Sequence, residues 1–136
     1  MMDETEFDLL RLEILPGRLA LCRLPAEANQ IPDWLQPGAF QCVVSTDKET
    51  SILCEEKFVP PEVKAERGWR GMRLVVPLDF SMVGILADIL EPLRQAGISI
   101  LALSTYDTDY VFVKDDRLER SVEALVEAGY VFDQEA

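Results

Sequence analysis

Histidine is absent from all 136 residues. With it go the commonest general base and the commonest transition-metal ligand, so Ser-His-Asp, Cys-His and His-zinc chemistry are excluded within one chain. Cysteine is scarce. Cys22, Cys42 and Cys54 are odd in number, widely spaced, never in a CxxC pair and set among apolar neighbours, which predicts buried reduced thiols rather than a disulfide framework. No apolar run approaches the roughly 20 residues of a bilayer span, and Met1–Leu10 is acidic where a signal peptide would be basic; a cytoplasmic protein without membrane contact is expected. Positive charge is also short. Thirteen Lys and Arg against 25 Asp and Glu leave a net charge of -12, with no basic run that could track a phosphate backbone, so neither nucleic acid nor anionic membrane is an expected partner. The same field attracts cations, although an excess of Asp and Glu also simply keeps a small protein soluble.

What is present is apolar enough, at 49%, for one ordinary core or two subdomains, but the chain is short for two independent domains. The second half has the clearer pattern. Met72–Pro77 is a β-branched run that predicts a strand. From Met82 to Ala96, the residues Met82, Ile85, Leu86, Ile89 and Leu93 recur at helical spacing, opposite Asp88, Glu91, Arg94 and Gln95. Asp79 or Ser81 is placed to cap that helix and Gly97 to stop it, while Pro92 predicts a bend or a tightened last turn. Ile98–Thr105 and Asp109–Lys114 predict a hairpin through Tyr106-Asp107-Thr108. Asp116 and Glu119 have capping-box spacing ahead of a second amphipathic helix ending at Gly129, and Tyr130–Phe132 closes as a short strand.

The order strand, helix, strand, strand, helix, strand is the split βαβ arrangement of ferredoxin-like α+β folds, with both helices on one sheet face. The first half predicts mostly strands: Leu9–Leu15, a Pro16-Gly17 turn, Leu19–Leu24, Phe40–Thr46 and Thr50–Cys54. Pro25, Pro32 and Pro37 leave room only for a turn of helix near Trp34, and Pro60-Pro61 marks a connection before Val63–Arg70. Trp34 and Trp69 are expected as packing anchors.

The segments Leu78–Leu86, Ala96–Ile100 and Ser104–Tyr110 resemble the ACT-domain family. Together with Arg23-Leu24-Pro25, Thr46-Asp47, Ser51–Cys54 and Glu66–Arg70, they are similar to a branch that includes the animal cytosolic arginine sensor and small bacterial ACT-domain proteins. The resemblance implies a strand-rich ACT-like subdomain over residues 1–62 packed with a C-terminal ACT domain over residues 63–136. It further implies a regulatory, non-catalytic role as an amino-acid sensor without cofactor, and a ligand held between the first strand–helix loop of one unit and a strand of a neighbour. Aspartate kinases carry such modules beside a catalytic domain that 136 residues do not accommodate. The arginine sensor looks like two such chains in tandem, so a homodimer is expected here, reporting to a regulated protein that the sequence does not identify.

An amino acid presents a carboxylate, an ammonium and a side chain, and the segments Asp79–Leu86 and Ser104–Asp109 offer a match for each. Ser81, Val83 and Gly84 are expected at a helix N-terminus, where unpaired amides suit a carboxylate and a glycine permits close approach, with Ile85 and Leu86 as the floor. By resemblance, Thr105 and Tyr106 correspond to ligand-contacting strand positions and Asp109 to the acidic residue that meets a basic ligand. Asp79 and Asp107 are candidates for the ammonium. A desolvated Asp109–guanidinium pair would contribute on the order of 1.5–3 kcal/mol, enough to select arginine or lysine over leucine.

Each assignment has a purely architectural alternative. Asp79 and Ser81 can serve as caps, Gly84 can admit close helix–sheet packing, Asp107 can be a turn former, and Thr105 and Tyr106 can be ordinary sheet residues. The set Asp107, Asp109, Asp115 and Asp116 lacks the glycine and terminal glutamate of a calcium loop, so no metal is expected. The rival function is a protein–protein interaction module of the same fold without retained ligand binding. An enzyme would have to work through Asp, Glu, Lys or Tyr alone.

Overall fold

The computed structural model describes residues 10–26, 31–79 and 81–133; Leu9, the first residue of an expected strand, lies outside them. The described residues form eight strands and two α-helices: β1 (Arg11–Ile14), β2 (Leu19–Pro25), β3 (Gln41–Ser45), β4 (Glu49–Glu55), β5 (Ala65–Leu74), α1 (Ile85–Gln95), β6 (Leu101–Ser104), β7 (Asp109–Lys114), α2 (Leu118–Glu127) and β8 (Val131–Phe132). None of their helices is long and apolar enough to cross a membrane.

The chain divides into two compact units. One, the helical unit, comprises Met1–Leu15 and Gly71–Ala136; the other, the strand unit, comprises Pro16–Arg70. This differs from a cut between 62 and 63 in two respects. Most of the stretch Val63–Arg70 that follows the Pro60-Pro61 connection and the strand at Met72 are one continuous strand, β5, which ends at Leu74 rather than Pro77 and contributes Ala65–Arg70 to the strand unit and Gly71–Leu74 to the helical unit. The first strand of the chain also belongs with the C-terminal elements, because β1 pairs antiparallel with β5 (Leu12 opposite Leu74) and parallel with β8 (Leu12 opposite Phe132). Arg11 secures the second pairing by donating to both carboxylate oxygens of Asp133 at 3.0 and 2.9 Å.

The helical unit is a ferredoxin-like α+β fold with the expected βαββαβ order, and its sheet runs β8-β1-β5-β7-β6. Period-2 alternation puts Met72 and Leu74 of β5 and Val111 and Val113 of β7 on one face, where they meet Ile89 and Leu93 of α1 and Leu125 of α2 in a core shared with Leu12, Ile98 and Tyr130. On the other face Phe112 is fully buried over Gly71, where an added Cβ would lie 3.0 Å from the Phe112 ring and 2.7 Å from Leu15 Cδ1.

Both helices end in the same motif. The Ile98 N–H donates to the Leu93 carbonyl and the Gly97 N–H to the Arg94 carbonyl, each at 3.0 Å, with Gly97 at φ 73°; the Tyr130 and Gly129 amides repeat the pattern on Leu125 and Val126. Pro92 lies inside α1, one turn before this end. At the other ends two expectations fail. α1 starts at Ile85 rather than Met82, because Gly84 has φ 79° and cannot continue a right-handed helix. The capping box at Asp116 is not formed: a 3-10 turn over Asp115–Arg117 runs directly into α2, whose N-terminus no side chain caps.

The strand unit is a sheet ordered β3-β4-β2-β5. Its core gathers Ala20, Cys22, Ile52, Cys54 and Val59, with Trp34 and Leu35 packed against them. Cys22 and Cys54 are free, buried thiols joined by a hydrogen bond that holds Cys22 below and Cys54 above the ordinary thiol range. Cys42 departs from the expectation of full burial. It sits on β3 and is only half-buried.

Candidate functional site

The helical unit contains a cleft of about 390 Å³. One wall is the segment from Leu78 through the first turn of α1, with Asp79, Met82, Gly84, Ile85, Leu86 and Ala87; the other is the β6–β7 hairpin, Ser104 to Asp109.

The first wall is shaped by two local signals. Asp79 makes an Asx turn: its Oδ1 accepts from the Ser81 N–H at 2.9 Å, and its carbonyl accepts from the Met82 N–H at 2.9 Å. The Ser81 amide holds the Asp79 carboxyl below its usual value. Asp79 thus caps the 79–82 turn rather than α1. Gly84 then takes the N-cap position in the left-handed region, which a side-chain-bearing residue rarely adopts. The first helical bond is Asp88 N–H to Gly84 carbonyl at 2.9 Å, and no side chain caps the helix. The amides of Ile85, Leu86 and Ala87 therefore precede the first intrahelical bond, at the positive end of an eleven-residue helix.

The second wall is a hairpin closed by hydroxyls. The Thr105 N–H donates to the Thr108 carbonyl at 2.8 Å, and Thr105 Oγ1 also donates to that oxygen. Thr108 is buried, and its Oγ1 donates to the Leu74 carbonyl at 3.0 Å. Ser104 pairs with Asp109 across the strands, and its Oγ donates to Asp109 Oδ1 at 2.5 Å. The Leu78 N–H donates to the Asp107 carbonyl at 2.6 Å, joining the two walls.

Of the residues singled out from sequence, Asp79, Gly84, Ile85, Leu86, Thr105, Tyr106, Asp107 and Asp109 line this cleft. Ser81 and Val83 do not. Ser81 contributes its amide to the Asx turn, and Val83 points to solvent at 91% exposure. Leu78, Met82, Ala87, Ser104 and Thr108 also line the cleft and were not singled out. Ser104 was accessible in principle, since the hairpin register sets it opposite Asp109. Among the described residues the lining carries three carboxylates, Asp79, Asp107 and Asp109, and no Lys or Arg. Chemically it offers unpaired amides for an anionic group and carboxylates for a cationic one.

A ferredoxin-like α+β unit with a cleft between its first strand–helix loop and its central hairpin defines the class. Residues 64–127 match the family model described as the ACT domain, and residues 17–62 match a second model described as an N-terminal domain. Among solved structures the chain is similar to protein Atu0741 from Agobacterium tumefaciens, with 33% identity, 93% of each chain covered and a TM-score of 0.85. It is also similar to a Vibrio cholerae protein, VC0802, described as of unknown function and a possible transport protein, with 20% identity, 89% of this chain and 94% of that chain covered and a TM-score of 0.70. The regulatory subunit of aspartate kinase from Thermus flavus shares the fold at 12% identity, over 86% of this chain and 95% of that chain, with a TM-score of 0.54. No curated protein matches the sequence.

Proposed function

We propose that this protein is a regulatory amino-acid sensor and that the cleft of the helical unit binds a free amino acid with a cationic side chain. The observation that carries this reading is the pairing of opposite polarities around one cleft: the unpaired amides of Ile85, Leu86 and Ala87 on one wall, and Asp107 and Asp109 on the other. An α-carboxylate meets the amides and the helix dipole, a pairing favourable at a helix N-terminus. The ammonium and a guanidinium or second ammonium meet the carboxylates, and Asp109 is already oriented by Ser104. The ACT fold and the likeness to a kinase regulatory subunit support a regulatory role without catalysis. Binding is coupled to function when the ligand prefers one arrangement of the protein over another.

The test is a thermal-shift series against the twenty amino acids at millimolar concentration. Binding at 100 times the dissociation constant adds about 2.7 kcal/mol to the native state, a rise of several degrees for a chain of this size. The expected result is a shift with arginine or lysine that Asp109→Ala removes; a flat response to all twenty overturns the proposal. A second reading, a protein-interaction module of the same fold, draws on the side chains beside the cleft: Val83 and Tyr106 are 91% and 82% exposed. It is favoured by no thermal response together with a co-purifying partner.

A further inference from the structure

The strand unit has a cleft of its own, of about 630 Å³, where β2, β4 and β5 lie side by side. Arg18, Lys57 and Arg67 line it. They stand far apart in a sequence with only 13 Lys and Arg against 25 Asp and Glu, so no basic run marks the place and strand pairing alone assembles it. Leu19 of β2 is opposite Glu55 of β4, and the Glu56 N–H donates to the Arg18 carbonyl at 2.9 Å. That bond sets the Pro16-Gly17-Arg18 turn beside the 3-10 turn Glu56–Phe58, which carries Lys57.

Arg67 arrives from the third side through a β-bulge. β2 passes from Leu19 to Leu21 while β5 passes from Trp69 to Glu66, one residue more, and Gly68 takes φ 81° within that step. A bulge of this kind re-aims the side chain beside it. Two hydrogen bonds fix it: Glu56 Oε1 accepts from the Gly68 N–H at 2.8 Å, and Arg67 Nη2 donates to the Pro60 carbonyl at 2.9 Å. Lys57 is positioned as well, its Nζ 5.2 Å from the centre of the Phe58 ring. The two carboxylates of the lining have other engagements. Glu56 serves the Gly68 amide, and Glu55 lies against Gly38, where an added Cβ would collide with Glu55 Oε2.

We propose that this cleft binds a phosphate group, either as inorganic phosphate or as the end of a small phosphate monoester. A phosphate monoester carries about -1.5 to -2 charges at pH 7 and presents three acceptor oxygens. Two guanidinium forks and one ammonium supply a cationic donor for each oxygen, and each fork can hold two oxygens at once. Arg67 is half-buried, so solvent ions screen its attraction to an anion less than that of a surface pair. At Gly17 nothing lies within 4 Å of a built Cβ, which leaves the turn backbone open to a ligand. The volume falls in the range of small-molecule sites, with room for an organic portion beside the phosphate. The polarity is the reverse of the carboxylate-lined cleft in the helical unit, so a ligand suited to one is poorly suited to the other.

The test is an amide-resolved NMR titration of the full chain at constant ionic strength, with sodium phosphate, ribose 5-phosphate and sodium acetate, each from about 10 µM to about 10 mM. The expected result is saturable movement of the Gly17, Arg18, Lys57 and Gly68 amides with the two phosphate probes and not with acetate. Tighter binding of ribose 5-phosphate identifies an ester as the preferred form; equal binding identifies phosphate itself. The double variant Arg18→Gln, Lys57→Gln changes two exposed side chains and is expected to weaken binding by at least about tenfold. Lys48→Gln, which removes a charge at the β3–β4 turn, leaves it unchanged. Should the double variant fold poorly, the wild-type titration map decides by itself. No saturable response to either phosphate probe, a response equalled by acetate, movement confined to amides outside the cleft, or an affinity indifferent to the double variant overturns the proposal.

Discussion

The Leu78 amide donates to the Asp107 carbonyl at 2.6 Å. These two residues stand on opposite walls of the cleft, so one backbone hydrogen bond fixes the spacing between the loop that leads to α1 and the turn of the β6–β7 hairpin. The buried Thr108 hydroxyl, donating to the Leu74 carbonyl at 3.0 Å, anchors the same turn to the end of β5. Removing that hydroxyl leaves the Leu74 carbonyl only the longer contact from Arg73 Nη1 at 3.4 Å, so Thr108→Val is expected to lower stability by about 1 kcal/mol in urea unfolding, while Thr108→Ser retains most of it. Wild-type stability in the valine variant would show that the bond does not support the hairpin.

Asp109 and Asp79, two of the three acidic positions of the cleft, should separate in effect. Asp109 faces the ligand's side chain in the proposed complex, so Asp109→Asn keeps the Ser104 contact possible but removes the charge. Calorimetry should record at least about a tenfold loss of affinity for arginine, since a charge-assisted hydrogen bond is worth about 1.5–3 kcal/mol. Neutral amino acids should be little affected. Equal losses for arginine and leucine would mean that Asp109 acts on the fold rather than on the ligand.

Asp79 holds the Ser81 amide, and its carboxyl lies below the usual 3.8 for that reason. A depressed folded value means that the unfolded chain takes up the proton first as pH falls. The turn is therefore fully supported above about pH 4 and loses that support as pH drops through the lowered value. Carboxyl titration by NMR should place Asp79 below the other exposed aspartates and show the Ser81 amide moving with it.

Tyr130 gives the opposite sign at the other end of the scale. Burial, and then the charge of Asp88, raise its phenol above 10.0. Both states keep the proton below about pH 10; above it the unfolded state ionises first, so stability falls as pH rises toward the raised folded value. Tyr130→Phe should shift the alkaline unfolding midpoint upward, and an unchanged midpoint would assign alkaline unfolding to another group.

Gly71 and Gly97 are constrained for different reasons. At Gly97 there is nothing within 4 Å of a built Cβ, but φ is 73°, so Gly97→Ala is expected to cost about 1 kcal/mol through backbone strain alone. At Gly71 the added atom meets Leu15 and Phe112 at 2.7 and 3.0 Å, and overpacking should cost about 1–3 kcal/mol. Thermal melts distinguish the two, because Phe112→Leu should relieve part of the Gly71→Ala penalty and none of the Gly97→Ala penalty.

The order of elements from β5 to β8 was legible in the sequence because each carries its own periodicity: Ile85, Leu86, Ile89 and Leu93 repeat at helical spacing whatever surrounds them, and Gly97 and Gly129 mark both helix ends. The composition of the cleft was legible for a similar reason, since Asp79, Gly84 and Asp107 are turn formers between periodic segments, while Asp109, the first residue of β7, was reached through the resemblance. The start of α1 was misjudged by three residues because Met82 fits the helical stripe, and only the left-handed conformation of Gly84 shows that the helix cannot reach back to it. Val83 sits between cleft-lining neighbours, yet its side chain turns to solvent in the segment leading to that glycine.

What the sequence by itself determined is therefore local: which segments pair or coil, where they stop, and which turns carry carboxylates. The tertiary structure alone decided three other matters: that β1 inserts between β8 and β5, that β5 runs unbroken from one unit into the next, and that the Leu78 amide finds Asp107. An apolar alternation such as that of β1 encodes a face to bury but not the strand to pair with, and a backbone amide carries no side-chain signature of its partner. Those choices are settled by which arrangement buries the most apolar surface while leaving no strand hydrogen bond unmade, a property of the whole chain rather than of any segment.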